Sequence, residues 1–204
     1  GLSDLRLPHL LKDYRKAIGR RSPSQQEKEL LALDHALLFE VFPIWITTTD
    51  DIHRVLPLKP GLFDLVIIDE ATQCDLSSAL PILFRGKRAL ITGDPRQLRH
   101  LSFLSKDRLR ALADKHGLTA QTLEDYHFRD VSFLDRAITL TSGTTALNFI
   151  DEHFRSLPPL ISFSNEQFYQ GTLHCMRESE VLLKGTPPSC LLTHRVQGSR
   201  GDSG

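Results

Sequence analysis

Cysteine is too scarce here to build a disulfide framework: Cys74, Cys175 and Cys190 are three in 204 residues, odd in number and far apart. Neither a stapled secreted scaffold nor a CxxC metal pair fits that spacing, so a reducing, cytoplasmic setting is the inference. Charge of one sign is in no excess either, since 25 Lys and Arg balance 25 Asp and Glu. No basic surplus announces a nucleic-acid partner on charge alone. No apolar run approaches the roughly 20 residues that span a bilayer, and no basic-then-apolar signal pattern opens the chain, which reads as soluble. There is no internal repeat. Methionine occurs once, at Met176, and not at position 1, so Gly1 reads as a cut end.

What is present is enough for a real core: 40% of the residues are hydrophobic, in a chain long enough for one domain and part of a second. Residues 22–41 predict a single helix, opened by Ser22-Pro23 and carrying Leu30, Leu33, Leu37 and Val41 on a broad apolar face. Residues 44–49, rich in Ile, Trp and Thr, suit a buried strand. Residues 63–68 form a nearly continuous apolar run of the kind found in parallel strands covered on both faces. A short helix over 75–83 and a second buried strand over 88–92 complete a βαβ unit, which points to an open parallel sheet with flanking helices. Helices are predicted over 103–115, 132–137 and 159–169, and a further strand over 146–150. The tail from Gly185 onward is rich in Gly, Pro and Ser and predicts no regular structure.

In open α/β sheets ligands bind beyond the carboxyl ends of the strands. Asp69-Glu70 and Gly93-Asp94 each end an apolar strand, so Asp69, Glu70 and Asp94 should share one site. An aspartate there can hold magnesium, and an adjacent glutamate can deprotonate the water that attacks a γ-phosphate. A solvated strand end is the competing account of such a pair taken alone.

Asp69-Glu70-Ala71-Thr72-Gln73, followed by Gly93-Asp94-Pro95-Arg96-Gln97-Leu98, resembles motifs II and III of superfamily 1 helicases, in the branch of the RNA-surveillance and DNA-replication helicases. The resemblance implies a RecA-like P-loop NTPase fold of the AAA type, ATP with Mg2+ in the cleft, and a single-stranded nucleic-acid track, DNA or RNA. It gives Asp69 to magnesium, Glu70 the catalytic base, and Gln97 the sensing of the γ-phosphate. Asp151-Glu152-His153-Phe154-Arg155-Ser156 and Phe168-Tyr169-Gln170-Gly171 look like the family's motif IV at the start of a second motor domain. Arg155 then takes the place of the arginine that reaches the γ-phosphate, for which a guanidinium fork is suited. An ion pair with Glu152 is the plainer alternative. Thr47, Thr48 and Thr49 match a segment near the nucleic-acid track, although β-branched threonines are also ordinary strand residues. Arg96 and His100 are further nucleic-acid candidates that a solvated surface explains equally. Phe163, Phe168 and Tyr169 are read as core rather than as stacking platforms, and Cys74 as a small buried side chain.

The match covers about residues 43–173, but the family's Gly-Lys-Ser/Thr phosphate loop is nowhere in the sequence. That loop's amides and lysine supply most of the attraction for ATP phosphates. The expectation is therefore a motor fragment, inactive alone, whose loop lies upstream of Gly1. Its divisions would be residues 1–145 in a first motor domain, 146–183 opening a second, and 184–204 an aberrant or disordered tail. Thr193-His194-Arg195 resembles motif V too faintly to carry a site. Two rivals stay open: a non-catalytic binding module derived from a motor, and an NTPase switch acting on something other than nucleic acid.

Overall fold

The computed structural model describes residues 6–176 apart from 103, 126 and 128. Phe103 and the 184–204 tail, with its Thr193 string, lie outside them. The chain divides into two compact units, Gly1–Thr144 and Thr145–Gly204.

The first unit opens with three helices, α1 (Arg6–Ile18), α2 (Pro23–Leu31) and α3 (His35–Val41). The single helix predicted over 22–41 is broken. Asp34 interrupts it, accepting the Leu37 N–H at 3.1 Å and so starting α3 afresh as an N-cap. Leu10, Leu37 and Leu38 are buried together, and Tyr14, Phe39 and Trp45 pack edge to face around them.

The strand predicted over 44–49 is also absent. Residues 42–48 carry no regular structure, and Ile44 and Ile46 are 81% and 96% exposed. Thr48 decides the local conformation instead. Its hydroxyl donates to Asp51 Oδ2 at 3.0 Å and accepts the Asp51 N–H at 3.2 Å, closing a turn into α4 (Ile52–Val55).

The βαβ unit is present: β1 (Val66–Ile68), α5 (Leu76–Arg85) and β2 (Ala89–Ile91), with the strands parallel and Val66, Ile67 and Ile68 opposite Ala89, Leu90 and Ile91. Asp75 caps α5 through the Ser78 N–H. Burial is one-sided, contrary to the two-sided cover expected. Ile68 joins a core with Ala71, Cys74, Ala79, Phe133 and Leu134, and Val66 is buried too, whereas Ile67 and its partner Leu90 are exposed. Side chains alternate across a sheet, so helices packed on one face leave the alternate residues bare.

Three more helices follow: α6 (Lys106–Lys115), α7 (Ala120–Asp125) and α8 (Phe133–Thr141). Ser105 caps α6, which starts at Lys106, three residues after the predicted start. Ser132 and Asp135 form a reciprocal capping box on α8, which presents Phe133 and Leu134 to the core.

In the second unit, β3 (Glu152–His153), α9 (Pro158–Phe168) and β4 (His174–Cys175) form a smaller parallel pair with its connecting helix. The strand predicted over 146–150 is displaced: β3 begins at Glu152, beyond the predicted end, with the Asp151 and His153 carbonyls bonding the β4 segment, while Phe149 and Ile150 are exposed. The core reading of Phe163 and Phe168 is corrected as well. They are 66% and 51% exposed, and α9 buries none of its residues. What holds the helix is polar: Asn165 donates to the Leu173 carbonyl and accepts the Leu173 N–H.

Among the described residues, no helix is long and apolar enough to cross a membrane.

Candidate active site

Parallel pairing of β1 and β2 in register brings the segments after both strands to one edge, and this is where Asp69-Glu70 and Gly93-Asp94 lie. The Thr92 amide donates to the Ile68 carbonyl and the Ala71 amide to the Thr92 carbonyl, each at 2.9 Å. Backbone bonding therefore continues past the strands and locks the two loops together.

Asp69 Oδ1 accepts from the Thr92 hydroxyl and from the Glu70 amide, the latter at 2.9 Å. Its carboxylate is thereby held in place at the sheet edge. Glu70 follows at φ 53° and ψ 39°, in the left-handed region that non-glycine residues seldom enter. Such a conformation costs on the order of 1 kcal/mol or more and persists only where the surroundings impose it. Here the imposition is visible, because Ala71, Thr72 and Gln73 turn at once into a short 3-10 helix in which Ala71 and Thr72 are fully buried.

Thr72 carries the second link. Its hydroxyl donates to the Asp94 carbonyl at 2.9 Å, and its own carbonyl accepts the His100 amide. The Asp94 carboxylate in turn accepts the Arg96 amide at 2.9 Å and the Gln97 side-chain amide at 3.2 Å. Gln97 is thus oriented by Asp94. Gly93 is needed for the approach: a Cβ there would sit 3.1 Å from the Ala71 nitrogen and the Thr72 hydroxyl, and 3.0 Å from Leu134.

Asp69, Glu70, Asp94 and Gln97 thus belong to one hydrogen-bonded edge. Thr92 and Thr72, which hold that edge together, were missed as functional residues. Thr72 stands inside the Asp69–Gln73 string and Thr92 directly before Gly93 at the end of the apolar run 88–92, where a hydroxyl beside the carboxylates was the available signal. Arg96 is exposed on the same turn. Thr48 is engaged with Asp51, the Thr47 hydroxyl donates to the Thr48 carbonyl at 3.4 Å, and Thr49 lines a cavity of about 520 Å3 beside this edge. Arg155 is in the second unit, exposed in the bend between β3 and α9.

Cys74 is buried beneath the turn, and its thiol is pushed up to about 11 by burial, then by Asp75 and Asp50. It is no activated nucleophile. No group of three or more His, Cys, Asp or Glu suited to a metal occurs among the described residues. An Mg2+ held by one carboxylate, waters and substrate phosphates needs no such group, and the hard oxygen of Asp69 fits that style of binding.

Comparison with known proteins bears on the same stretch. A family described as an AAA domain matches residues 15–102. An uncharacterized ATP-dependent helicase of Mycoplasma genitalium is 32% identical over 145 residues, covering 70% of this chain and 12% of that protein. Helicase SEN1 of Saccharomyces cerevisiae is 28% identical over 128 residues, 62% of this chain and 5% of its own length. A probable helicase of Arabidopsis thaliana, MAGATAMA 3, is 24% identical over 174 residues, 84% of this chain and 19% of its own. The chain thus spans a small part of the length of each relative.

Proposed function

The chain is superfamily 1 helicase-like, and on that premise we propose that it contributes the hydrolytic edge of an ATP-driven motor that moves along single-stranded nucleic acid. The observation that carries this reading is the joined pair of strand ends, where Thr92 fixes Asp69, Asp94 fixes Gln97, and Glu70 is held in a strained backbone conformation. In the proposal the parallel sheets belong to RecA-like domains, with the first ending near residue 145 and a second beginning at 146.

Asp69 holds Mg2+, which when bound neutralises phosphate charge. Glu70, adjacent to it and exposed, orients the attacking water and takes its proton. Gln97, aimed by Asp94, contacts the terminal phosphate and couples its loss to the turn that carries Arg96. Arg155, in the second unit, offers a guanidinium of the kind suited to a phosphate. Thr47, Thr48, Thr49 and Arg96 meet the nucleic-acid backbone, and the setting is cytoplasmic.

The 204 residues contain no Gly-Lys-Ser/Thr string, and that supports a second reading of this chain by itself, as a non-catalytic binding module. One experiment separates the two: ATP hydrolysis, with and without single-stranded DNA or RNA, by this chain and by the protein extended to its natural ends. On the motor reading, the extended protein hydrolyses ATP in a strand-stimulated way and Glu70→Gln lowers kcat by about 100-fold or more. An extended protein whose hydrolysis ignores Glu70 rules out the assigned base. One that binds strands and never hydrolyses ATP is the non-catalytic module.

A further inference from the structure

The cavity of about 520 Å3 next to the hydrolytic edge is used by none of the steps above. Its volume is in the range of small-ligand sites, roughly 300–1,000 Å3. Thr49 opens it on one side, Leu98 and Leu101 form apolar walls, and Asp50 and Asp75 supply carboxylates. Both leucines are 84% exposed, so their side chains stand as uncovered apolar surface at its rim.

The charge of the lining decides what can enter. Asp75 is fixed: it accepts from the Ser77 hydroxyl, the Ser78 hydroxyl and the Ser78 amide. Asp50 lies in the turn that follows the threonine run and is exposed. Both carboxylates line the same cavity, together with Cys74. Among the described residues the one guanidinium in the lining, Arg99, donates to the Asp130 carbonyl and pairs with Asp135 at 3.2 Å. The lining is therefore net acidic between apolar walls. A phosphate is repelled by it, whereas a flat apolar ring bearing N–H donors is matched by it.

We propose that this cavity receives a nucleobase that carries an exocyclic amino group, and so gives the motor a base preference against thymine and uracil. The inference rests on the nucleic-acid reading above, and gives Thr49 a position between backbone contact outside the cavity and base contact within it. An amino group donates to the carboxylate of Asp50 while the ring packs on Leu98 and Leu101. Thymine and uracil present carbonyl oxygens at the corresponding edge, and two acceptors facing each other repel. Carboxylates accept from the cytosine amino group in the same way in groove readout.

Fluorescence anisotropy of this 204-residue chain with labelled dC12 and dT12 tests it. These two pyrimidine strands share a backbone charge, and neither pairs with itself at neutral pH. The expected result is about tenfold tighter binding of dC12, persisting as added salt weakens both strands. Asp50→Ala should bring the two affinities within about twofold. Asp75→Ser, which keeps a helix-capping hydroxyl, should narrow the gap less. Equal binding of the two strands by the unaltered chain overturns the base preference and leaves the nucleic-acid reading standing. Loss of all strand binding overturns both. An oligoarginine peptide that binds in an Asp50-dependent way, with no preference between strands, overturns it in favour of a basic protein segment as the occupant.

Discussion

The chain builds the same local topology twice, and the two copies are held together by different means. In β1–α5–β2 the strands and helix enclose buried apolar residues, and side chains beyond the strands tie Asp69 to Thr92 and Asp94 to Thr72. In β3–α9–β4 the strands are two residues long, the helix buries none of its side chains, and one asparagine clamps helix to strand. A parallel pair with a connecting helix is thus a scaffold that becomes a chemical edge only when hydroxyls and carboxylates beyond the strands are locked to one another. Where apolar burial is scarce, a single polar clamp carries more of the local order.

Arg85 offers the largest break in the first copy. It is 1% exposed at the end of α5, and its guanidinium donates to the carbonyls of Leu56, Pro57 and Pro81 at 2.7–3.0 Å. Arg85→Ala leaves three carbonyls without that donor, and a loss of about 3–5 kcal/mol is expected. Urea denaturation followed by peptide-resolved hydrogen exchange should show 56–92 losing protection while 151–176 keeps it. Gly93→Ala comes next. Its Cβ would press on the Ala71 nitrogen, the Thr72 hydroxyl and Leu134, costing about 1–3 kcal/mol by overpacking. The same readout should show protection lost first at Ala71 and Thr92.

Much of the first copy was legible before any coordinates. An apolar run ended by Asp69-Glu70, a short helical stretch from Asp75, and a second run ended by Gly93-Asp94 specify a strand, a helix and a strand by local rules alone. The joining of Asp69 and Asp94 at one edge followed from parallel pairing. What failed depended on competition that composition does not display. Asp34 lies within an apolar helical stretch and still restarts the helix, because its carboxylate reaches the Leu37 amide. Three threonines suit a strand by β-branching, yet Thr48 finds Asp51 three residues on and turns. Exposure of Ile67, Leu90, Phe163 and Phe168 depends on what packs over them, which an apolar pattern cannot supply. Thr92 and Thr72 were overlooked because a hydroxyl shows its role only once its acceptor is placed.

The second copy is sharpened by Asn165→Ala. Two hydrogen bonds to Leu173 are lost, for an expected cost of about 1–2 kcal/mol. Because α9 buries none of its side chains, this single change should release β4, read as faster amide exchange at His174 and Met176 with Val66 and Ile68 unaffected. An Asn165→Asp chain keeps the acceptor for the Leu173 amide and loses the donor to its carbonyl, so about half of the effect should return.

The smallest effect contrasts the cysteines of the two copies. Burial first, then Asp75 and Asp50, push the Cys74 thiol up to about 11 from an ordinary 9.0. The folded chain therefore keeps this proton where the unfolded chain has shed it. Stability from this group is complete below pH 9 and is lost as pH rises from about 9 to about 11. Cys74→Ala should flatten that part of the stability profile, measured by urea midpoint against pH, at the cost of a small cavity. Cys175 is only half-buried, with its thiol donating to the Ser156 carbonyl. Iodoacetamide at pH 8 with peptide-level mass spectrometry should accordingly label Cys175 well before Cys74. Labelling in the reverse order would mean that the edge around Asp69 and Thr92 opens more readily than the clamp at Asn165, and would invert the comparison between the two copies.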